Sequence, residues 1–149
     1  MASTSTTTEN EALARRFPED IATRGDLKLV DEICAPDVVD HSPFGDLEGR
    51  EALKAQMSVL REAFSDFSAT VEDTVTEGDR VAMRVTLRGT HDGPFMGIEA
   101  TGKSFEVENT VFSRIEDGQI AERWVLPNML GMLGQLGIVD APELSMPPS

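Results

Sequence analysis

The chain has no tyrosine, one cysteine, one tryptophan and two histidines. Each scarcity closes off a class of chemistry. Cys34 stands alone, so no intrachain disulfide can form. It reads as a small buried hydrophobe ahead of Ala35-Pro36 rather than as a nucleophile, with nothing nearby to activate it. His41 and His91 share no local ligand motif, so no metal site is expected. Gly93, Gly97 and Gly102 lack phosphate-loop spacing and lie between strands, and no serine sits in a nucleophile elbow. No apolar run approaches the roughly 18 residues of a membrane span. The opening residues lack the apolar core of a secretory signal, so a cytoplasmic location is expected.

Positive charge is scarce too. Lysine and arginine number 13 against 27 aspartates and glutamates, a formal net charge of −14. Such a surface repels nucleic acid and anionic membranes, and neither is an expected partner. The excess serves solubility, or adaptation to a salt-rich cytoplasm in which ions screen self-repulsion.

What is present suits one domain with one core: 149 residues, 40% of them hydrophobic. Residues 1–8 read as a solvated tail, 9–139 as the domain, and 140–149 as a proline-bearing tail. Leu13, Phe17 and Ile21 recur every four residues in a first helix over 9–24, ended by Gly25. Asp26 is placed to cap a second helix with Leu27, Val30 and Ile33, which Pro36 stops. Residues 37–41 read as a short turn and 42–46 as loop. Gly49 opens a third helix with a stripe of Leu53, Met57, Leu60, Phe64 and Phe67. The period then falls to two. Strands are predicted over 67–77, 80–91, 103–115 and 119–126, and a last short helix carries Met129, Leu130, Met132, Leu133 and Leu136. Helices followed by four consecutive antiparallel strands make an α+β domain, with the sheet curled around the helices to leave a conical cavity.

The stretch 111–137 organises the rest. Asp117-Gly118 supplies a hairpin turn. Beyond it, Ile120, Glu122, Trp124, Leu126 and Asn128 fall on one face at period two, which predicts a pocket wall there or a core with satisfied polar groups. Glu122 reads mainly as an ion-pair partner for an arginine on a neighbouring strand. His41 is either a helix-end residue bonded to backbone or a pocket-facing acid–base group. His91 either pins the loop at 93–97 or faces the pocket. Asn109, between Val107 and Val111, needs partners in a core or on a ligand. The outer face of the sheet alternates Arg84 and Arg88 with Glu106 and Glu108, which predicts a homodimer through that face.

Several segments together carry a family resemblance: Val39-Asp40-His41-Ser42-Pro43, Gly89-Thr90-His91-Asp92-Gly93-Pro94-Phe95-Met96-Gly97, Thr101-Gly102-Lys103, Glu116-Asp117-Gly118-Gln119-Ile120-Ala121-Glu122-Arg123-Trp124, Leu130-Gly131-Met132-Leu133 and Gln135-Leu136-Gly137. Over about residues 10–138 the chain resembles the SnoaL-like polyketide cyclase or ester cyclase family, in the nuclear transport factor 2-like superfamily. The resemblance implies a cone-shaped α+β barrel and ring closure of a polyketide ester by intramolecular aldol condensation, without metal or cofactor. It implies that His41, His91 and Asn109 line the pocket with Trp124. It also places Asn128 where the family's acid–base Asp stands, four residues after the Trp, and an amide only donates or accepts hydrogen bonds. The resulting expectation is a cofactor-free cyclase or isomerase of a hydrophobic carbonyl compound. His41 or His91 serves as base, Asn128, Asn109 and Trp124 orient the substrate, and the cavity opens near Phe44, Phe95 and Met129. The alternatives are a non-catalytic binder of a small apolar ligand, and an epoxide or lactone hydrolase with water held by Asp40 or Glu122.

Overall fold

The computed structural model describes residues 4–140. Helix α1 (Thr4–Arg16) begins inside the stretch expected to be a tail, while the C-terminal tail lies, save for its first residue, outside the described residues. A π-helical segment, Phe17–Thr23, continues α1. Pro18 has no N–H to donate to the preceding turn, which favours the wider winding there. The Thr23 hydroxyl donates to Pro18 O at 2.8 Å and accepts from Ala69 N–H at 2.9 Å, pinning the segment to the sheet. Gly25, at φ +76°, ends it as expected. Asp26 closes a backbone turn with Leu29 N–H instead of capping by its side chain, and α2 is the short Leu29–Ile33.

Two strands stand where a turn and a loop were expected. β1 (Cys34–Ser42) contains Pro36 and turns Val38 and Asp40 inward, and β2 (Gly45–Glu48) returns beside it as a hairpin. Pro36 does not stop β1, because it falls in an interval without registered pairs, between Cys34 and Val39, where no ladder N–H is required. Helix α3 (Arg50–Ala63) buries Leu53, and Met57 and Leu60 pack on the core. It ends before Phe64 and Phe67, which are both buried in the core, Phe64 from extended backbone.

Strands β3 (Ser68–Glu77), β4 (Arg80–Thr90), β5 (Ser104–Glu116) and β6 (Gln119–Pro127) follow antiparallel, and α4 (Met129–Gln135) closes the described domain. The single six-stranded sheet runs β2-β1-β6-β5-β4-β3, with only the β1–β6 pair parallel. This is the α+β architecture expected, helices across the concave face of a curled sheet. Asp117 and Gly118 both take positive φ, as their hairpin demands.

A bulge just past that hairpin changes which side chains face inward. Ile115 pairs with Ile120, but Arg114 pairs with Glu122, leaving Ala121 as the extra residue. From there Arg123, Val125 and Pro127 share the inner face with Ser113, Val111 and Asn109. Glu122, Trp124 and Leu126 turn outward, and Leu126 is 72% exposed. The face expected to wall the pocket is thus the outer one.

On that outer face Arg84 bridges Asp73 and Glu108, and Arg88 bonds Glu106. These exposed pairs contribute little and weaken with salt. The net charge of −14 acts the other way, since screening relieves self-repulsion. We expect the net charge to win: the melting temperature rises with KCl as the Debye length falls from about 10 Å at 0.1 M to about 3 Å at 1 M. A flat or falling melting curve series removes the salt-adaptation reading.

Candidate active site

The inner face of the sheet and the helices enclose a cavity of about 860 Å³ counted with its open mouth, of which about 90 Å³ is open to the centres of water molecules. The smaller figure leaves room for several waters. Phe17 and Pro18 from the π-helical segment and Leu53, Met57 and Leu60 from α3 form one wall. Val85, Leu87, Asn109, Val111, Val125 and Pro127 form the sheet wall, and Phe44, Phe95 and Met129 border it.

One buried ion pair interrupts this apolar lining. Asp40 from β1 and Arg123 from β6 are register partners, 4% and 6% exposed. Arg123 Nη1–H donates to Asp40 Oδ2 at 2.6 Å, and its guanidinium lies 3.6 Å over the Phe17 ring. Stacking fixes the guanidinium plane and the carboxylate fixes its rotation. Arg123 Nε and Asn109 Oδ1 are buried without a protein hydrogen-bond partner. Arg123 was missed in the sequence because period-two counting from Ile120 sets it outside, and only the bulge at Ala121 brings it in.

The remaining sequence candidates stand elsewhere. His41 lies on the outer side of β1, between Glu122 Oε2 at 2.6 Å and Asp46 Oδ1 at 2.8 Å, and stacks on Trp124 at 5.5 Å. With a carboxylate on each nitrogen the ring donates from both, and its pKa is raised, chiefly by Glu122 and then by Asp46. Arg80 covers Trp124 at 5.3 Å, so the indole belongs to this outer cluster and not to the cavity wall. Glu122 pairs with Arg114 on β5 at 3.3 Å, the ion-pair role read from the sequence. His41 and the Glu122 carboxylate hold each other charged, with the Glu122 pKa lowered chiefly by His41.

His91 is fully buried against Phe64 and Phe95, outside the cavity lining. Its Nδ1 accepts from Thr101 N–H at 3.2 Å, so it pins the loop after β4. Asn128 is exposed and caps α4, its Oδ1 accepting from Gly131 N–H at 2.9 Å. The expectation that Asn128 sits in the pocket beside Trp124 is therefore corrected, for the same reason of strand parity. Cys34 is buried and its pKa is pushed up to about 11 by desolvation, so it stays a protonated core thiol. Among the described residues no group of three His, Cys, Asp or Glu side chains is placed to hold a metal ion, and no helix is long and apolar enough to cross a membrane.

Comparison with known proteins converges on one family. Residues 12–136 match the family model described as SnoaL-like polyketide cyclase. The aklanonic acid methyl ester cyclase DnrD of Streptomyces peucetius is 36% identical over 107 residues, 71% of this chain and 72% of DnrD. The aklanonic acid methyl ester cyclase DauD of Streptomyces sp. (strain C5) is 34% identical over 110 residues, 73% of this chain and 67% of DauD. The crystal structure of wild-type IdmH from Streptomyces antibioticus superposes with a TM-score of 0.76 at 34% identity, covering 86% of this chain and 98% of that one. With the helices, the curled sheet and the cavity already in place, the match over most of its length settles the family: the chain belongs to the SnoaL-like polyketide cyclases.

Proposed function

We propose that the protein is a cofactor-free cyclase or isomerase of a hydrophobic, polyketide-like ester, working by proton transfer next to a carbonyl. The observation that carries this reading is the buried Asp40–Arg123 pair in a largely apolar cavity. Asp40 takes the base role that sequence reasoning gave to His41 or His91, since neither histidine lines the cavity. In the proposed step the Asp40 carboxylate removes a proton from carbon beside a carbonyl. The electron pair left behind forms a C–C bond to a second carbonyl of the same molecule, and that oxygen takes up a proton. Arg123 and Asn109 orient the substrate oxygens, and the guanidinium offsets the charge that develops on the enolate. The largely apolar walls strengthen each of these interactions.

The relatives' names supply the probe, aklanonic acid methyl ester. Incubation is expected to yield a product of unchanged mass and altered chromatographic retention, because an aldol closure only rearranges atoms. A free acid lighter by one methylene, left when water cleaves the methyl ester and methanol departs, assigns a hydrolase instead. Binding without any new product assigns the non-catalytic carrier.

A further inference from the structure

The cavity's ion pair is held from the opposite side of the sheet. Asp40 and His41 are successive residues of β1, and Glu122 and Arg123 are successive residues of β6. Alternation sends one member of each couple inward and the other outward. Inside, Arg123 meets Asp40 at 2.6 Å, and outside, His41 Nε2–H donates to Glu122 Oε2 at 2.6 Å. The outer pair continues in both directions. His41 Nδ1–H donates to Asp46 on β2 at 2.8 Å, and Arg114 Nε–H on β5 donates to Glu122 at 3.3 Å. Across the neighbouring strands β2, β1, β6 and β5 the charges therefore alternate: negative, positive, negative, positive. Backbone pairing is thin at this point. β1 and β6 register at Cys34↔Ile120 and again only from Val39↔Glu122 to His41↔Trp124. The side chains supply the lateral restraint that so short a parallel ladder lacks.

We propose that His41 is a positioning residue for the Asp40–Arg123 pair: the outer chain of charges locks β1 against β6 and so sets the spacing and orientation of the carboxylate and guanidinium that face the cavity. Its kinetic consequence rests on the acid–base role proposed for Asp40, while its structural content does not.

The lock has a defined pH window. The charged groups facing His41 are Glu122 and Asp46, with Arg114 beyond Glu122 and Arg80 over the neighbouring Trp124. Asp40 and Arg123 lie across the sheet. Because the folded-state pKa of His41 is raised, its contribution is complete below the ordinary histidine value and is lost as pH rises through the higher folded value. Because that of Glu122 is lowered, its contribution holds above the ordinary carboxylate value and is lost only as pH falls through the lower folded one.

The test follows the His41 ring and the Arg123 Nε–Hε resonance by NMR across a pH titration of the ligand-free protein, in wild type, His41→Gln and Glu122→Gln. In wild type the Arg123 resonance is expected to shift with the same midpoint as His41. In His41→Gln that transition disappears, and in Glu122→Gln the His41 midpoint falls and the Arg123 response shrinks. With aklanonic acid methyl ester as probe, His41→Gln is expected to lower kcat about 10-fold or more with KM within about twofold, and to lose the alkaline decline of wild type. An Arg123 resonance that ignores the His41 midpoint overturns the proposal, as does wild-type kcat in His41→Gln. Glu122→Gln keeps the test decisive if the histidine variant does not fold. Should wild type leave the ester unchanged, the cyclase reading fails alone, and the Arg123 resonance still decides this one.

Discussion

Arg123→Leu is expected to cost about 3–5 kcal/mol of folding stability, because it strands the Asp40 carboxylate in a site only 4% exposed. An unpaired buried carboxylate is either desolvated at full charge or held with a proton it would lose in the unfolded chain. Asp40→Asn has the opposite balance. The amide still accepts a hydrogen bond from the guanidinium and fills the same space, so the fold should survive with a smaller loss. Turnover of a carbonyl substrate should fall by about 100-fold or more, the scale of a lost general base. The double change Asp40→Leu with Arg123→Leu should recover much of the stability lost in Arg123→Leu, since an apolar pair replaces an ionic one in an apolar setting. Urea unfolding of Arg123→Leu, Asp40→Leu and the double variant closes the cycle and gives the coupling between the residues. A coupling near zero would mean the pair is not the organising contact of the cavity. Undiminished turnover in Asp40→Asn would move the base elsewhere.

How much of this site could be read in the sequence depends on one small residue. Ala121 is the bulged position, and an alanine fits either face of a strand, so nothing in the local pattern marks the slip. Counting by twos from Ile120 gave Trp124 and Asn128 to the pocket; counting from the far side of the bulge gives it Arg123, Val125 and Pro127. A usable signal was present, since Pro127 is an inward register partner of Asn109, and Asn109 was placed on the inner face of β5 correctly. Running the β5–β6 pairing backwards from that end would have exposed the conflict. Strand β1 was hidden for a different reason. Its pairing with β6 is parallel and joins residues more than 80 apart, His41 with Trp124 for example, and a local window carries no trace of such a partner. Strands β3 to β6 were legible to within a residue or two: β4 and β5 keep a buried face at period two, and tight two-residue turns join β3 to β4 and β5 to β6. Asn109 lines the cavity from β5, whose alternation is undisturbed, and Phe44, Phe95 and Met129 line it from outside the antiparallel strands.

Phe64→Ala is expected to be the most damaging single truncation in the apolar core. Phe64 is fully buried at the point where α3 ends and the chain turns toward β3. Its ring centroid lies 5.0 Å from Phe105, 5.2 Å from Phe95, 5.6 Å from His91 and 6.4 Å from Phe67, so one side chain joins β5, the loop after β4 and the entry to β3. The surroundings are moulded to it. A β-carbon on Gly89 would stand 3.0 Å from both Phe64 Cβ and the Phe105 ring. Gly93 packs so closely that a β-carbon there would meet Glu62 O at 2.0 Å, which leaves the loop backbone no inward path to fill a void. Truncation to alanine should therefore leave most of the cavity open and cost about 3–5 kcal/mol, including edge-to-face contacts worth roughly 0.5–1.5 kcal/mol each beyond area burial. For a chain of this size that corresponds to a fall in melting temperature of about 6–20 °C. Phe64→Leu should cost much less, since it retains most of the volume. The effect reaches the site through Phe95, which lines the cavity and rests on the Phe64 ring, so the alanine variant should also bind an apolar ligand more weakly at temperatures where it remains folded. A loss below about 1 kcal/mol in urea unfolding would show that the loop collapses onto the void after all, and the account of a rigid aromatic support beneath the cavity would have to be given up.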